Sequence, residues 1–319
     1  MLLTKLPVAV GLAGVALAAN AVTYTPGTYT EKVNGHNAAF TVKVTVSKNK
    51  IEKIEYPDNL ETIGVGKVAL DKLSKKIIDR QSLGVDNVTG ATITSFALKG
   101  AVKKALEQAK VSKADMAKLM KNSEKYTALP AEIKTNVVVV GGGGSGLASA
   151  IAAQQAGAKV IVLEKLGILG GSTNVSEGAL NAADPQRQGK QGIEDSIQKH
   201  YEQTMKGGHN IGNPELVHYL TDHALESVHW LEVGTATGAL WQRSHYPATP
   251  SGNTYIRSFE KYIAAHGNDM KVYTDMDAVS LIQDKAGRVI GVIAKDNHTG
   301  KTTKFMADKG VILATGGFG

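Results

Sequence analysis

The chain has 319 residues, 42% of them hydrophobic and 20% charged, with 35 glycines, no cysteine and a net charge of +7, the composition of a folded globular protein long enough for two domains. Lacking cysteine, it can make no disulfide, thiolate zinc site, iron-sulfur cluster, catalytic thiol, c-type haem attachment or cysteine lipid anchor. The charge sits in the front half, with 18 basic against 11 acidic residues between 22 and 130 and 17 against 18 beyond. Few aromatics interleave those lysines, so the basicity predicts a solvated face toward an anionic envelope or an acidic redox partner, and no nucleic-acid site.

Residues 1–21 read as an export signal: Lys5, an apolar run over 6–19, and small residues at Ala16-Leu17-Ala18 or Ala19-Asn20-Ala21 suited to cleavage. The run is rich in glycine and alanine and short for a membrane span. Next, Phe40, Val42, Val44 and Val46 alternate with Thr41, Lys43, Thr45 and Ser47, predicting a half-buried strand that turns at Lys48-Asn49-Lys50 into a second strand through Ile54 and Tyr56. A helix follows with Ala69, Leu73 and Ile77 on one face. After Asp86-Asn87-Val88-Thr89-Gly90-Ala91-Thr92, Thr94 and Ser95 are N-cap candidates for another helix, whose apolar stripe is Leu98, Ala101, Val102, Ala105, Leu106 and Ala109.

The stretch 24–109 resembles the FMN-binding domain of the sodium-pumping NADH:quinone reductase C subunit and of secreted fumarate-reductase-like flavoproteins. The likeness rests on the D-x-x-[ST]-G-A-T pattern of residues 86–92, on Glu61-Thr62-Ile63-Gly64 and on Gln81-Ser82. It implies covalent FMN in phosphoester linkage to Thr92, installed by a separate flavin transferase. A phosphate there would lie at a helix start, where free N–H groups and the helix dipole favour an anion. The plain alternative is a polar strand-to-helix turn.

Residues 111–134, rich in lysine and with Pro130 near the end, read as a surface helix and linker. Val137-Val138-Val139-Val140 is a continuous β-branched run of the kind a parallel strand buries on both faces. Gly141, Gly143 and Gly146 follow at G-x-G-x-x-G spacing and open a helix near Ser145; a second strand ends at Glu164, an acid about 20 residues on that could accept from a ribose hydroxyl. These glycines do not choose between NAD and FAD. Gly170-Gly171-Ser172-Thr173, with Gly178 and Asn181, resembles the segment that runs along FAD in the fumarate reductase and succinate dehydrogenase flavoprotein family, and residues 310–317 resemble that family's returning strand. The resemblance implies non-covalent FAD held by Gly141, Gly143, Ser145, Gly146, Glu164, Gly171, Ser172, Thr173, Gly178, Ala179 and Ala278.

The whole is then a signal peptide (1–21), an α+β FMN-binding domain (22–110), a helical linker (111–134) and an incomplete α/β Rossmann-like FAD-binding domain (135–319). The implied function is an exported flavin-dependent reductase of a small α,β-unsaturated carboxylate of the fumarate or urocanate type, fed by an external electron donor at the membrane, FMN taking the place of haem. The alternatives are a non-catalytic electron-transfer module and a nicotinamide dehydrogenase. In the family the proton-donating arginine and the substrate-clamping histidines lie beyond the motif at 315–319, so no catalytic residue is assigned and the chain resembles the front part of a longer enzyme. Arg243-Ser244-His245-Tyr246-Pro247 resembles a family R-x-H-x-P stretch, but a satisfied histidine and a solvated arginine are the simpler expectation. His209, His218, His223 and His229 lie along one helical stretch without i, i+4 spacing and are read as structural, with no metal.

Overall fold

The computed structural model describes residues 22–122, 124–231, 243–247 and 251–317; the export segment expected over 1–21 lies outside them. In the first unit β1 (Gly27–Asn34), β2 (Ala39–Val46) and β3 (Ile51–Glu55) form an antiparallel sheet in chain order. The alternation in β2 buries Phe40, Val42, Val44 and Val46 on one face. Against that face lie α1 (Gly66–Arg80), through Ala69, Leu70, Leu73 and Ile77, and α2 (Thr92–Gln108), through Leu98, Ala101, Val102, Ala105 and Leu106. Each fully buried Leu, Ile, Val or Phe contributes about 1.5–3 kcal/mol to holding the layers together.

Helix α2 starts earlier than its polar residues imply. Its N-cap is Ala91, which offers no side-chain cap, while Thr94 and Ser95 lie inside the first turn. Both hydroxyls are engaged elsewhere: Thr94 Oγ1 donates to Glu61 Oε2 at 2.8 Å, and Ser95 Oγ donates to Ala91 O at 2.8 Å. The expected linker opens with α3 (Lys113–Met120), capped by Ser112, whose Met116 and Leu119 join the first core. Leu119 O also accepts from the N–H groups of Leu83 and Gly84, so this helix is docked on the first unit.

The second unit comprises β4 (Glu132–Val140), α4 (Gly144–Gln155), β5 (Val160–Leu163), a 3-10 turn (Gly171–Val175), β6 (Leu180–Asn181), α5 (Pro185–Gly189), α6 (Ile197–Gly207), α7 (Pro214–Trp230), β7 (Ser244–His245) and α8 (Gly252–Ala265), then β8 (Met270–Tyr273), β9 (Met276–Gln283), β10 (Val289–Asp296) and β11 (Thr302–Leu313). Its main sheet runs β8-β5-β4-β11-β10-β9. The first four strands are parallel; β10 and β9 extend it antiparallel. The valine run of β4 divides by parity: Val137 and Val139 pack with α4 and α8, and Val138 and Val140 with Val292, Ala294 and Phe305.

The two units are joined by more than the chain. Ile168, in the loop after β5, is 5% exposed and belongs to the core of the first unit, with Leu166 packed beside it. Lys72 Nζ donates to Gly167 O at 2.7 Å, and Gly167 N–H donates to Thr89 O at 3.3 Å. Among the described residues no helix is long and apolar enough to cross a membrane.

Candidate functional site

Thr92 is the first residue of α2 and is exposed. It opens into a cavity of about 420 Å³, bounded by His36, Glu61, Thr62, Gly90, Thr92 and, from the second unit, Val175. That volume lies in the range of small-molecule sites. A helix start without a side-chain cap leaves first-turn N–H groups for another acceptor, and a phosphate ester on Thr92 would place one there. Glu61 is buried and fixes the opposite wall: its Oε1 accepts from His36 N–H at 2.7 Å and its Oε2 from Thr94 Oγ1. The cavity therefore fits a phosphate-tethered flavin in size and polarity.

Two other motif residues, Thr89 and Asp86, face the second unit. Thr89 Oγ1 donates to Asp275 Oδ1 at 2.8 Å. His298, in the β10–β11 turn, stands 3.5 Å from Asp86 Oδ2 and 3.3 Å from Asp275 Oδ2, with its ring stacked on Tyr126 at 3.9 Å. Tyr126 OH donates to Asp86 at 2.9 Å. The loop that presents Thr92 is thus clasped at its base by the neighbouring unit.

In the second unit the glycine loop runs from β4 into α4. Gly141 holds φ at +109°, and a Cβ there would come within 2.7 Å of the Ala314 carbonyl carbon, so only glycine fits this turn. Gly143 is the N-cap of α4; Ser145 and Gly146 are in its first turn. Glu164 follows β5, is 7% exposed, and accepts from Gly142 N–H at 2.7 Å and from Leu166 N–H at 2.8 Å. It therefore fastens the glycine loop itself, a role its spacing does not reveal. Gly141, Glu164 and Ala278 line one cavity of about 190 Å³, joined by Lys165, Asp277 and Thr315, which sequence reasoning did not single out.

The segment with Gly171, Ser172 and Thr173 forms the 3-10 turn. It meets the glycine loop directly, Gly170 N–H donating to Gly142 O at 2.7 Å. Gly178 and Ala179 lie beyond the turn and do not line that cavity; Gly178 O accepts from Tyr255 OH at 2.8 Å. Bare backbone and a helix start as donors, with an acid at their side as acceptor, are the groups a dinucleotide needs, so the residues fit FAD.

The R-x-H-x-P stretch is a buried polar knot. Arg243 is paired with Asp195 through Nε to Oδ2 at 2.8 Å and Nη2 to Oδ1 at 2.6 Å, and its Nη1 donates to Gln203 at 2.8 Å. Its side chain is 9% exposed and that of Asp195 0%, which corrects the expectation of a solvated arginine. Burial by itself would raise the Asp195 carboxyl, but hydrogen bonds from Arg243, Gln188 and Ser196 N–H and the guanidinium charge hold it down at about 2. His245 is fully buried, its Nδ1 donating to Arg243 O at 3.0 Å and its Nε2 lying 3.4 Å from Asp184. Of the four other histidines, His218 stacks on Tyr201, His223 meets Glu226 at 3.0 Å, and His209 falls in the turn after α6, off the helix.

Residues 136–319, more than half of the chain, match the FAD binding domain family. The chain belongs to this family. Residues 35–107 match the FMN-binding domain, so an FMN-binding domain precedes the FAD binding domain. Over 305 residues the chain is 36% identical to a urocanate reductase of Eggerthella lenta, which covers 91% of this chain and 49% of that protein. It is 31% identical to an NADH:fumarate oxidoreductase of Klebsiella pneumoniae, covering 92% and 32%. A solved flavocytochrome c3 fumarate reductase in its open conformation superposes with a TM-score of 0.53 at 32% identity, over 60% of this chain and 35% of that one. The chain spans about half the length of the urocanate reductase and about a third of the other two.

Proposed function

We propose that this FAD binding domain protein serves an exported reductase of a small α,β-unsaturated carboxylate of the fumarate or urocanate type. The observation that carries the reading is the shared cavity: Thr92 opens from the first unit, and Val175, the last residue of the glycine-rich turn, closes it from the second. A reductase that takes electrons at one flavin and spends them at another needs the two cradles adjacent. When bound, FMN supplies electron entry, and FAD supplies the hydride that, with one proton, saturates the carbon-carbon double bond.

The residues of the chain hold and orient. Thr92 carries FMN as a phosphoester formed by a flavin transferase, with Glu61 and His36 shaping the wall opposite. Gly141, Gly143, Ser145 and Gly146 take the FAD pyrophosphate at the start of α4, Glu164 and Ala278 flank the adenosine end, and Gly171, Ser172, Thr173, Gly178 and Ala179 run along the remainder. Residues 1–21 direct export, and a membrane donor supplies the electrons. The relatives act on urocanate and fumarate by their names, which supports the substrate class.

The test is reoxidation of the flavin-loaded protein after anaerobic reduction. Joined to the family's proton donor and substrate clamps, to which no residue of these 319 is assigned, it should be reoxidised by fumarate, urocanate or acrylate and not by their saturated counterparts. Reoxidation by none of them, with both flavins in place, would leave a flavin electron shuttle as the function.

A further inference from the structure

We propose that Asn174 is a positioning residue that sets the register between the two flavin-bearing loops; this rests on the two-flavin reading above. Asn174 lies in the 3-10 turn Gly171–Val175 and is 4% exposed. Its Nδ2 donates to Gly64 O of the first unit at 3.0 Å and to Leu169 O of its own unit at 2.5 Å. Its Oδ1 accepts from Asn253 Nδ2 at 2.8 Å, at the start of α8. Both amide hydrogens and the oxygen are thus committed, which a buried amide requires.

The surroundings are built to admit this one side chain. A Cβ on Gly64 would stand 2.5 Å from Asn174 Cγ, and one on Gly170 would collide with the same amide. Two glycines, one from each unit, therefore clear the space the amide fills. Gly64 belongs to the Glu61–Gly66 run that walls the Thr92 cavity, and Val175 on the other side of Asn174 lines the same cavity. On the FAD side, Thr173 packs against Gly144 of the glycine loop, where a Cβ would meet its Oγ1 at 2.5 Å. One amide consequently connects the wall of the FMN cavity to the loop that cradles FAD. Because two carbonyls face Nδ2, aspartate would present an acceptor to acceptors, and alanine would leave both units without the link.

The absence of cysteine makes the test clean, since spin labels attach only where cysteine is introduced. Labels at Lys104→Cys and Lys285→Cys, both exposed positions in different units, report the inter-unit distance in flavin-free protein by double electron-electron resonance. The native residue should give one narrow distribution and the near-isosteric Asn174→Asp a broadened one. In flavin-loaded protein the same substitution should slow electron passage from FMN to FAD on the order of tenfold or more, as expected for ångström-scale misplacement, while flavin content and both midpoint potentials stay as in the native protein. Gly64→Ala, which displaces the amide from the opposite side, should do the same and keeps the test valid if Asn174→Asp fails to fold. Native distance distributions and native transfer rates in the folded variants would overturn the proposal. A native protein that loads both flavins yet passes no electron between them would overturn the two-flavin reading alone, with the distance measurement still deciding the role of Asn174 as a peg.

Discussion

Replacing Arg243 by alanine strands a carboxylate. Asp195 has a fully buried side chain and takes two charge-assisted hydrogen bonds from the guanidinium, at 2.8 and 2.6 Å. Its remaining partners, Gln188 Nε2 at 2.9 Å and the Ser196 N–H, do not neutralise it. Removing one member of such a pair costs about 3–5 kcal/mol, because the surviving charge keeps its desolvation penalty without its partner. Denaturant titration at neutral pH followed by tryptophan fluorescence reads this directly, since Trp230 closes helix α7 of the second unit. The double replacement Arg243→Met with Asp195→Leu removes both charges and should cost less than the single change, giving a large coupling in the cycle. A loss below about 1 kcal/mol for Arg243→Ala would refute the reasoning and return Arg243 to the pool of groups free to meet a substrate.

Further outcomes follow from the same geometry. Asp195 is held at about 2 against an ordinary 3.8, so its contribution of roughly 2 kcal/mol is complete above pH 4 and vanishes as pH falls through 2; acid titration of unfolding should show this loss, and Asp195→Asn should remove it. Gly141→Ala forces a side chain into positive φ and against Ala314, and should cost about 1–3 kcal/mol and abolish FAD retention measured by absorbance after gel filtration. Ile168→Ala empties a buried site shared by both units and should cost about 2–5 kcal/mol, with protease susceptibility rising in the loop after β5.

The sequence reading succeeded where a local rule has no competitor. Alternation in β2 and the unbroken valines of β4 report burial on one face and on two, and the glycine spacing before α4 has few other physical uses. β1 escaped because its inward positions are only half buried, so Tyr29 and Val33 stand among threonines and charges without a clean period. The start of α2 was misjudged because Thr94 and Ser95 are good caps in isolation, and their hydroxyls were claimed by Glu61 and Ala91, a contest visible only in three dimensions. The placement of Thr92 at a helix start, of Glu164 just after a strand and of the glycines between strand and helix was legible from motifs. The pairing of Arg243 with Asp195, the clasp of His298 between Asp86 and Asp275, and the bridge from Asn174 to Gly64 join residues 23 to 212 positions apart, and nothing in local patterning encodes them.

Two flavins in adjacent cradles, one of them tethered at Thr92, are the core of the account. Mass spectrometry of the protein produced together with a flavin transferase decides it most directly. The peptide containing Thr92 should gain the mass of FMN less one water, and Thr92→Ala should abolish the gain while FAD binding persists. An unmodified Thr92 peptide in the native protein under those conditions, or an adduct that survives Thr92→Ala, would contradict it.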